Sequence, residues 1–422
     1  MKILAVSLFA ALYVIMIGFQ KWRVIAVWLV ALIYLAAGIL PFKEIGTAID
    51  WNVLMMMAGT MVSVYYFIES RMPNRIADML LDKAANVCWV TIYMSLFSGV
   101  ISAFIDNVAT VLMVAPVGMA ICRKLKISPV PMILSIAVSS NLQGAATLVG
   151  DTTSIMLGAY ADMDFMEFFW MNGKPGIFFA VELGALATIP IMLYLFRKDK
   201  DPVQAGRKTR VKDPVPSYML IAMVVMLIIA SFFKKKPPVT NGLICMAVAV
   251  ICVVYDILKT KKTKKAHLAI RSIDFNTLFL LAGLFVVIQG IEEAGVIDDI
   301  AGLVAKLGGG NIFILYTVIV WGSVVISAFV DNIPYVATML PVITTISATL
   351  GIEPYLLYFG LLCGATLGGN LTPVGASANI TAVGMLRQFG HEVSIKDFMR
   401  IGVPFTLAAV ISGYLFIWIV WH

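Results

Sequence analysis

The sequence predicts an all-α polytopic membrane protein, with about ten transmembrane helices plus two re-entrant helical hairpins arranged as two inverted-topology repeats. Three observations lead there. The 422-residue chain is 61% hydrophobic and only 13% charged, with a mean hydropathy of +0.95. Its apolar residues fall into runs of roughly 20, the length a helix needs to cross the hydrocarbon core. A short polar word interrupts two of those runs, SAFIDN at Ser102–Asn107 and SAFVDN at Ser327–Asn332, 225 positions apart.

A soluble domain of this composition would have too little polar surface to face water. The first apolar segment has no A-x-A-like exit and leads straight into Lys21–Arg23, so it reads as a span and not as a cleaved signal. Cys88, Cys122, Cys245, Cys252 and Cys363 lack CxxC spacing and read as small apolar residues. His267, His391 and His422 fall in expected loops or at the terminus, which suggests no buried metal cluster.

Uninterrupted runs at 3–19, 24–40, 51–68, 175–196, 217–233, 238–258, 275–290 and 401–420 read as spans. Runs at about 130–160 and 354–386 are broken by Gly, Thr, Asn and Asp. The runs 88–122 and 312–350 carry the DN words at their middles with no polar loop around them, and read as hairpins.

Charge orients the chain. Seven Lys and Arg lie between 197 and 212 and six between 259 and 271, and the positive-inside rule makes both segments cytoplasmic. Counting outward puts Lys21–Arg23 and Arg123–Lys126 inside, and the acidic stretches 161–167 and 292–299 outside. Lys234–Lys236 is the one basic cluster on the wrong side. The net charge of +7 is thus an orientation signal and no argument for nucleic acid.

The halves match in order. Asp50-Trp-Asn52 corresponds to Asp274-Phe-Asn276, the two DN words correspond, and Pro116 and Pro341 each follow a tip aspartate by ten residues. The stretch 146–153 resembles 365–372, which would set Asp151 opposite Asn370. The expected organisation is repeat one at 1–196 with a cytoplasmic-side hairpin, a basic linker at 197–216, and repeat two at 217–422 with an external-side hairpin. Inverted repeats are the architecture of many secondary transporters, with the binding site where the repeats meet near the midplane.

A carboxylate at the bilayer centre costs at least roughly 2.5–3.5 kcal/mol, so Asp106, Asp151 and Asp331 call for a partner, for which a proton or Na⁺ is suited. Broken helices add backbone carbonyls and amide termini that can hold a small ion. Blander roles compete: Asn107 and Asn332 as caps, Gly144, Gly150, Gly368 and Gly369 as close-packing positions, and Asp50 and Asp274 as N-caps. Glu182, mid-span, reads equally as a buried hydrogen-bonded group or a proton relay.

SAFIDNVATVLMVAP, TLVGDTTSIML and GGNLTPVGASANITAVG resemble motifs of the ArsB/NhaD group of the ion transporter superfamily, which also holds the P protein and the citrate and dicarboxylate carriers. The resemblance covers essentially the whole chain. It implies inverted repeats with scaffold and transport parts, a homodimer, elevator-type alternating access, and a place in the plasma (inner) membrane. It places binding residues at the tips (Ser102, Asp106, Asn107; Ser327, Asp331, Asn332) and at the breaks (Asn141, Gly150, Asp151, Thr153; Gly369, Asn370, Thr372, Ser377, Asn379).

The expected function is secondary active ion transport coupled to H⁺ or Na⁺, as Na⁺/H⁺ antiport or as arsenite or anion export, with no other cofactor and no enzymatic activity. The alternative is a citrate, dicarboxylate or other organic-anion carrier, although the Ser-Asn-Thr words of dicarboxylate carriers are absent here. A passive channel and an intramembrane aspartyl protease rank lower. Asp151 follows Leu-Val-Gly and lacks the GxGD of such proteases.

Overall fold

Apolar runs capped by Asp, Asn or Pro dictate helices, and in the computed structural model the described residues (1–203, 209–233 and 235–422) form twenty α-helices. Those of the first half are α1 (Lys2–Gly18), α2 (Arg23–Ala36), α3 (Ile45–Ala48), α4 (Trp51–Glu69), α5 (Met72–Lys83), α6 (Val87–Ser102), α7 (Asn107–Leu125), α8 (Val130–Gly144), α9 (Thr152–Tyr160) and α10 (Ile177–Leu195). Those of the second are α11 (Val215–Ser231), α12 (Thr240–Thr260), α13 (Lys264–Arg271), α14 (Phe275–Glu293), α15 (Val296–Gly308), α16 (Ile312–Ser327), α17 (Asn332–Leu350), α18 (Tyr355–Gly368), α19 (Ser377–Gln388) and α20 (Ile395–Trp421). A two-residue β-ribbon, Trp170–Met171 against Lys174–Pro175, is the one sheet among the described residues.

Seven of these helices are each long and apolar enough to cross a bilayer, or eight if the sharply bent pair α15–α16 is one span. The expected spans at 3–19, 24–40 and 217–233 are shorter helices of 17, 14 and 17 residues. Large apolar side chains such as Leu186, Ile221 and Leu243 face outward, the surface expected of a chain bathed in lipid. α8 and α18 form the centre, and every residue from Met132 to Gly144 is buried.

Helix pairs recur. α4 runs along α12 while α14 runs along α2, and α6 lies on α8 while α16 lies on α18. The caps recur as well. Asp50 accepts from the Val53 N–H and Asp274 from the Thr277 N–H, as expected of N-caps; Asn86 and Asn311 cap α6 and α16 in the same manner.

Besides the single turn α3, three helices were not legible as elements. α5, α13 and α15 are short and amphipathic, so no apolar run marks them. The acidic stretch 292–299, expected outside, places Asp298 and Asp299 in the first turn of α15, and His267 lies within α13, not in a loop. The linker 197–216 packs back onto the first half: the Val87 N–H donates to Asp201 O, and the Lys212 N–H to Ser70 O. Its residues 204–208 lie outside the described set, as does Lys234 of the misplaced basic cluster. Lys236 of that cluster is ion-paired with Asp164.

Candidate functional site

Both DN words sit where a pair of helices turns. In each turn the aspartate, not the asparagine, is the helix cap. Asp106 Oδ2 accepts from the Val108 and Ala109 N–H groups at 3.0 and 3.1 Å, and Asp331 Oδ1 accepts from the Ile333 N–H at 3.2 Å. Asn107 and Asn332 are the first helical residues and are buried. A cap contributes about 1 kcal/mol. That is less than the roughly 2.5–3.5 kcal/mol a membrane carboxylate costs, and Ser or Thr would cap without that cost. Capping alone does not account for the aspartates.

Each tip locks into a helix break. Around the first, Ser140 Oγ donates to Asn107 O and is bonded to Ser102 Oγ, and Thr147 Oγ1 donates to Ala103 O. Around the second, Ser327 Oγ lies within hydrogen-bond distance of Ala365 O and Asn332 Oδ1, with one proton to give, and Thr372 Oγ1 donates to Ala328 O. A Cβ at Gly150 would meet Gly144 O, Ala103 O and Ser102 O at 2.6–2.7 Å; one at Gly375 would meet Gly369 O, Ala328 O and Ser327 O at 2.7–2.8 Å. Every partner pair is 225 positions apart.

This corrects the register expected from sequence. Thr147 matches Thr372 and Gly150 matches Gly375, so the counterpart of Asp151 is Ala376, not Asn370. Asp151 caps α9 through the Thr152 N–H, whereas Ala376 precedes α19 with no side-chain cap. The similarity of 146–153 to 365–372 is six residues out of step with the packing of the tips.

Between the breaks lies a buried polar net. Asn107 Nδ2 donates to Asn141 Oδ1 at 3.0 Å and reaches Asp151 Oδ1 at 3.5 Å. Thr153 Oγ1 donates to Asp151 Oδ2 at 2.9 Å and meets Thr366 Oγ1 at 3.3 Å. Asn141 Nδ2 crosses to Thr366 O and Asn370 Oδ1, and Asn370 Nδ2 returns to Val138 O. Asn379 Nδ2 donates to Gly369 O at 3.0 Å, while its Oδ1 is buried with no partner among the described residues, an oxygen available to a cation or a water.

A cavity of about 760 Å³ opens onto this assembly. Asp106, Asn107, Asp151, Asp331, Asn332 and Ser377 all line it, so it receives both tips and the helix starts that follow both breaks. Lys21, Arg23 and Asp274 line it as well. Arg23 Nη1 lies 2.9 Å from Asp331 Oδ2, and Ser377 Oγ is 3.5 Å from the same oxygen.

The three expected Na⁺ carboxylates are therefore not equivalent. Asp331 is already paired with a cation of the protein, while Asp106 and Asp151 have no basic partner among the described residues. No group of three His, Cys, Asp or Glu side chains converges on a metal site among the described residues. Glu182 does not line the cavity and makes no side-chain bond among the described residues, which leaves neither of its expected roles a neighbour.

Sequence reasoning missed Arg23, read only as an orientation charge. Its partner is 308 positions away, and no local pattern announces that pairing. Thr147, Ser140 and Thr366 were also missed; pairing the halves at an offset of 225 would have found Thr147 opposite Thr372.

A multi-pass helical protein with two broken helices and two turned tips meeting at one polar cavity is built as a transporter. The citrate transporter family, CitMHS, matches residues 11–364, and the chain belongs to that family. This bears out the expected superfamily. An uncharacterized transporter of Mycobacterium tuberculosis is 28% identical over 99% of this chain and 98% of its own length. The human P protein is 24% identical over 98% of this chain and 59% of its own. The crystal structure of the YdaH transporter of Alcanivorax borkumensis shares the fold, with a TM-score of 0.63 at 14% identity over 90% of this chain and 87% of that one.

Proposed function

We propose that the protein is a secondary active transporter that carries a small anion through the 760 Å³ cavity, coupled to H⁺ or Na⁺ held at Asp106 and Asp151. The observation that carries this is the unequal neutralisation of the tips. Arg23 answers the charge of Asp331, whereas Asp106 and Asp151 line the cavity with no ion pair among the described residues. An exogenous cation at the first tip would be held by these carboxylates with the Asn107 and Asn141 oxygens and the carbonyls of the α8–α9 break.

Lys21, Arg23 and the uncapped start of α19 supply positive potential for an anion beside the second tip. A citrate-like carboxylate fits both that chemistry and the family's name, and arsenite remains in the test set. The halves, 1–196 and 217–422, act as inverted repeats, in a homodimer in the plasma membrane, and the tips and breaks move together past α2, α4, α12 and α14 in an elevator-type step. A Na⁺/H⁺ antiporter is the second reading, favoured by the same two unpaired carboxylates.

Purified protein in liposomes decides between them. Uptake of citrate, another dicarboxylate or arsenite driven by a pH or Na⁺ gradient is the expected result. Dissipation of a pH gradient by Na⁺ or Li⁺ alone, with no anion taken up, would establish the antiporter. A current that does not saturate and ignores the counter-ion would replace both with a channel.

A further inference from the structure

α13 joins the ends of two helices that are each long enough to cross the bilayer, α12 and α14, so it lies at the membrane boundary. Its inner face is settled by its contacts. Ala266 and Ala269 are buried, and Lys265 Nζ is 3.7 Å from Oδ1 of the buried Asp256 on α12. The opposite face carries Lys264, Leu268 and Arg271, at helical spacings of four and three. Leu268 is 40% exposed and Ile270 on the flank 51% exposed.

The turn before α13 adds exposed Lys261 and Lys262. Among the described residues the side chains of Lys261, Lys262, Lys264 and Arg271 make no ion pair. Three of the acidic groups nearby are engaged elsewhere: Asp213 holds Lys259, Asp256 faces Lys265, and Asp274 caps α14. Four unanswered cations interleaved with exposed apolar side chains match an interfacial helix with its apolar residues in the acyl boundary and its cations among phosphates.

We propose that α13 and the Lys261–Lys262 turn dock on anionic phospholipid headgroups of the cytoplasmic leaflet. Charge complementarity selects this occupant: a zwitterionic surface offers no net charge to four cations, and a water-facing strap has no use for Leu268 and Ile270. The chain just beyond α13 forms part of the cavity wall, through Ser272, Asp274, Asn276 and Thr277. An anchored α13 therefore fixes one side of the mouth.

The test needs no transport substrate. The exposed His267 is changed to Cys and labelled with an environment-sensitive fluorophore, since all five native cysteines are buried. The full-length protein is placed in vesicles containing equal small fractions of spin-labelled phosphatidylglycerol or spin-labelled phosphatidylcholine. The expected result is quenching at least about threefold stronger by the anionic lipid. That preference should vanish when Lys261, Lys262 and Lys264 are all changed to Gln, and also at about 1 M salt, where charges are screened beyond roughly 3 Å. Circular dichroism matching the parent confirms that the triple variant is folded. Equal quenching by the two lipids would overturn the proposal. So would quenching by neither with full access to a water-soluble quencher, which would place this face toward solvent or a soluble partner.

Discussion

Among single residues, Arg23 carries the largest change from what the sequence announces. It was legible as a positive-inside charge, yet the fold sets its guanidinium 2.9 Å from the Asp331 carboxylate and makes it part of the cavity. The DN words were legible as site residues because a carboxylate inside an apolar run needs a reason; which atom does the capping was not, since Asp and Asn cap equally well. Arg23→Gln should lower anion uptake by about tenfold or more, since it removes a cavity cation and leaves Asp331 unpaired. Arg23→Lys should restore part of it as a point charge without the planar fork. Uptake rates measured beside the unchanged protein check both, and full activity of Arg23→Gln would remove it from the site. Asn370→Ala tests the buried net. It leaves the Asn141 amide short of one acceptor, for an expected destabilisation of about 1–3 kcal/mol read from thermal unfolding.

Among elements, the tips and breaks show both what pattern reveals and where it stops. The run 312–350 expected to turn at its DN word is two helices, α16 and α17, that meet at that word, because the apolar stretches on either side mark their lengths and the polar word marks the turn; α17 is by itself long and apolar enough to cross a bilayer. The break register was misread because local identity between 146–153 and 365–372 competes with long-range packing that only the fold displays. The amphipathic α5, α13 and α15 escaped because a surface helix of about a dozen residues leaves no apolar run. The corrected register makes a paired prediction. Gly150→Ala and Gly375→Ala each push a Cβ against three carbonyl oxygens of the backbone, which cannot swing aside as a side chain could. Each should cost about 1–3 kcal/mol of stability. Gly322→Ala, with nothing within 4 Å, should cost little and serves as the control. Thermal unfolding of the three variants in one detergent decides; equal melting of all three would mean that the tips do not seat on the breaks as described.

Across the whole molecule, composition and charge made the membrane class legible at once, while the position of each helix relative to the bilayer rested on counting. One residue of the basic cluster on the wrong side, Lys236, is ion-paired with Asp164, and the orientation of the chain is a matter for labelling. Cysteines introduced at Thr209 and Thr263 should react with an impermeant reagent only from the cytoplasmic side, and one at Asp162 only from outside. Labelling of 209 and 162 from the same side would break the inverted arrangement. The charge imbalance between the halves is what makes the proposed carrier a coupled one, and it leads to the most direct measurement: accumulation of the carried anion in proteoliposomes under an imposed H⁺ or Na⁺ gradient, for the parent, Asp106→Asn and Asp151→Asn. Both substitutions keep a polar side chain of the same shape and add no buried charge. Both should retain solute exchange at equal concentrations while gradient-driven accumulation falls by about tenfold or more, as the loss of one binding carboxylate requires. Accumulation at the parent level in both variants would contradict the account and move the coupling ion away from Asp106 and Asp151.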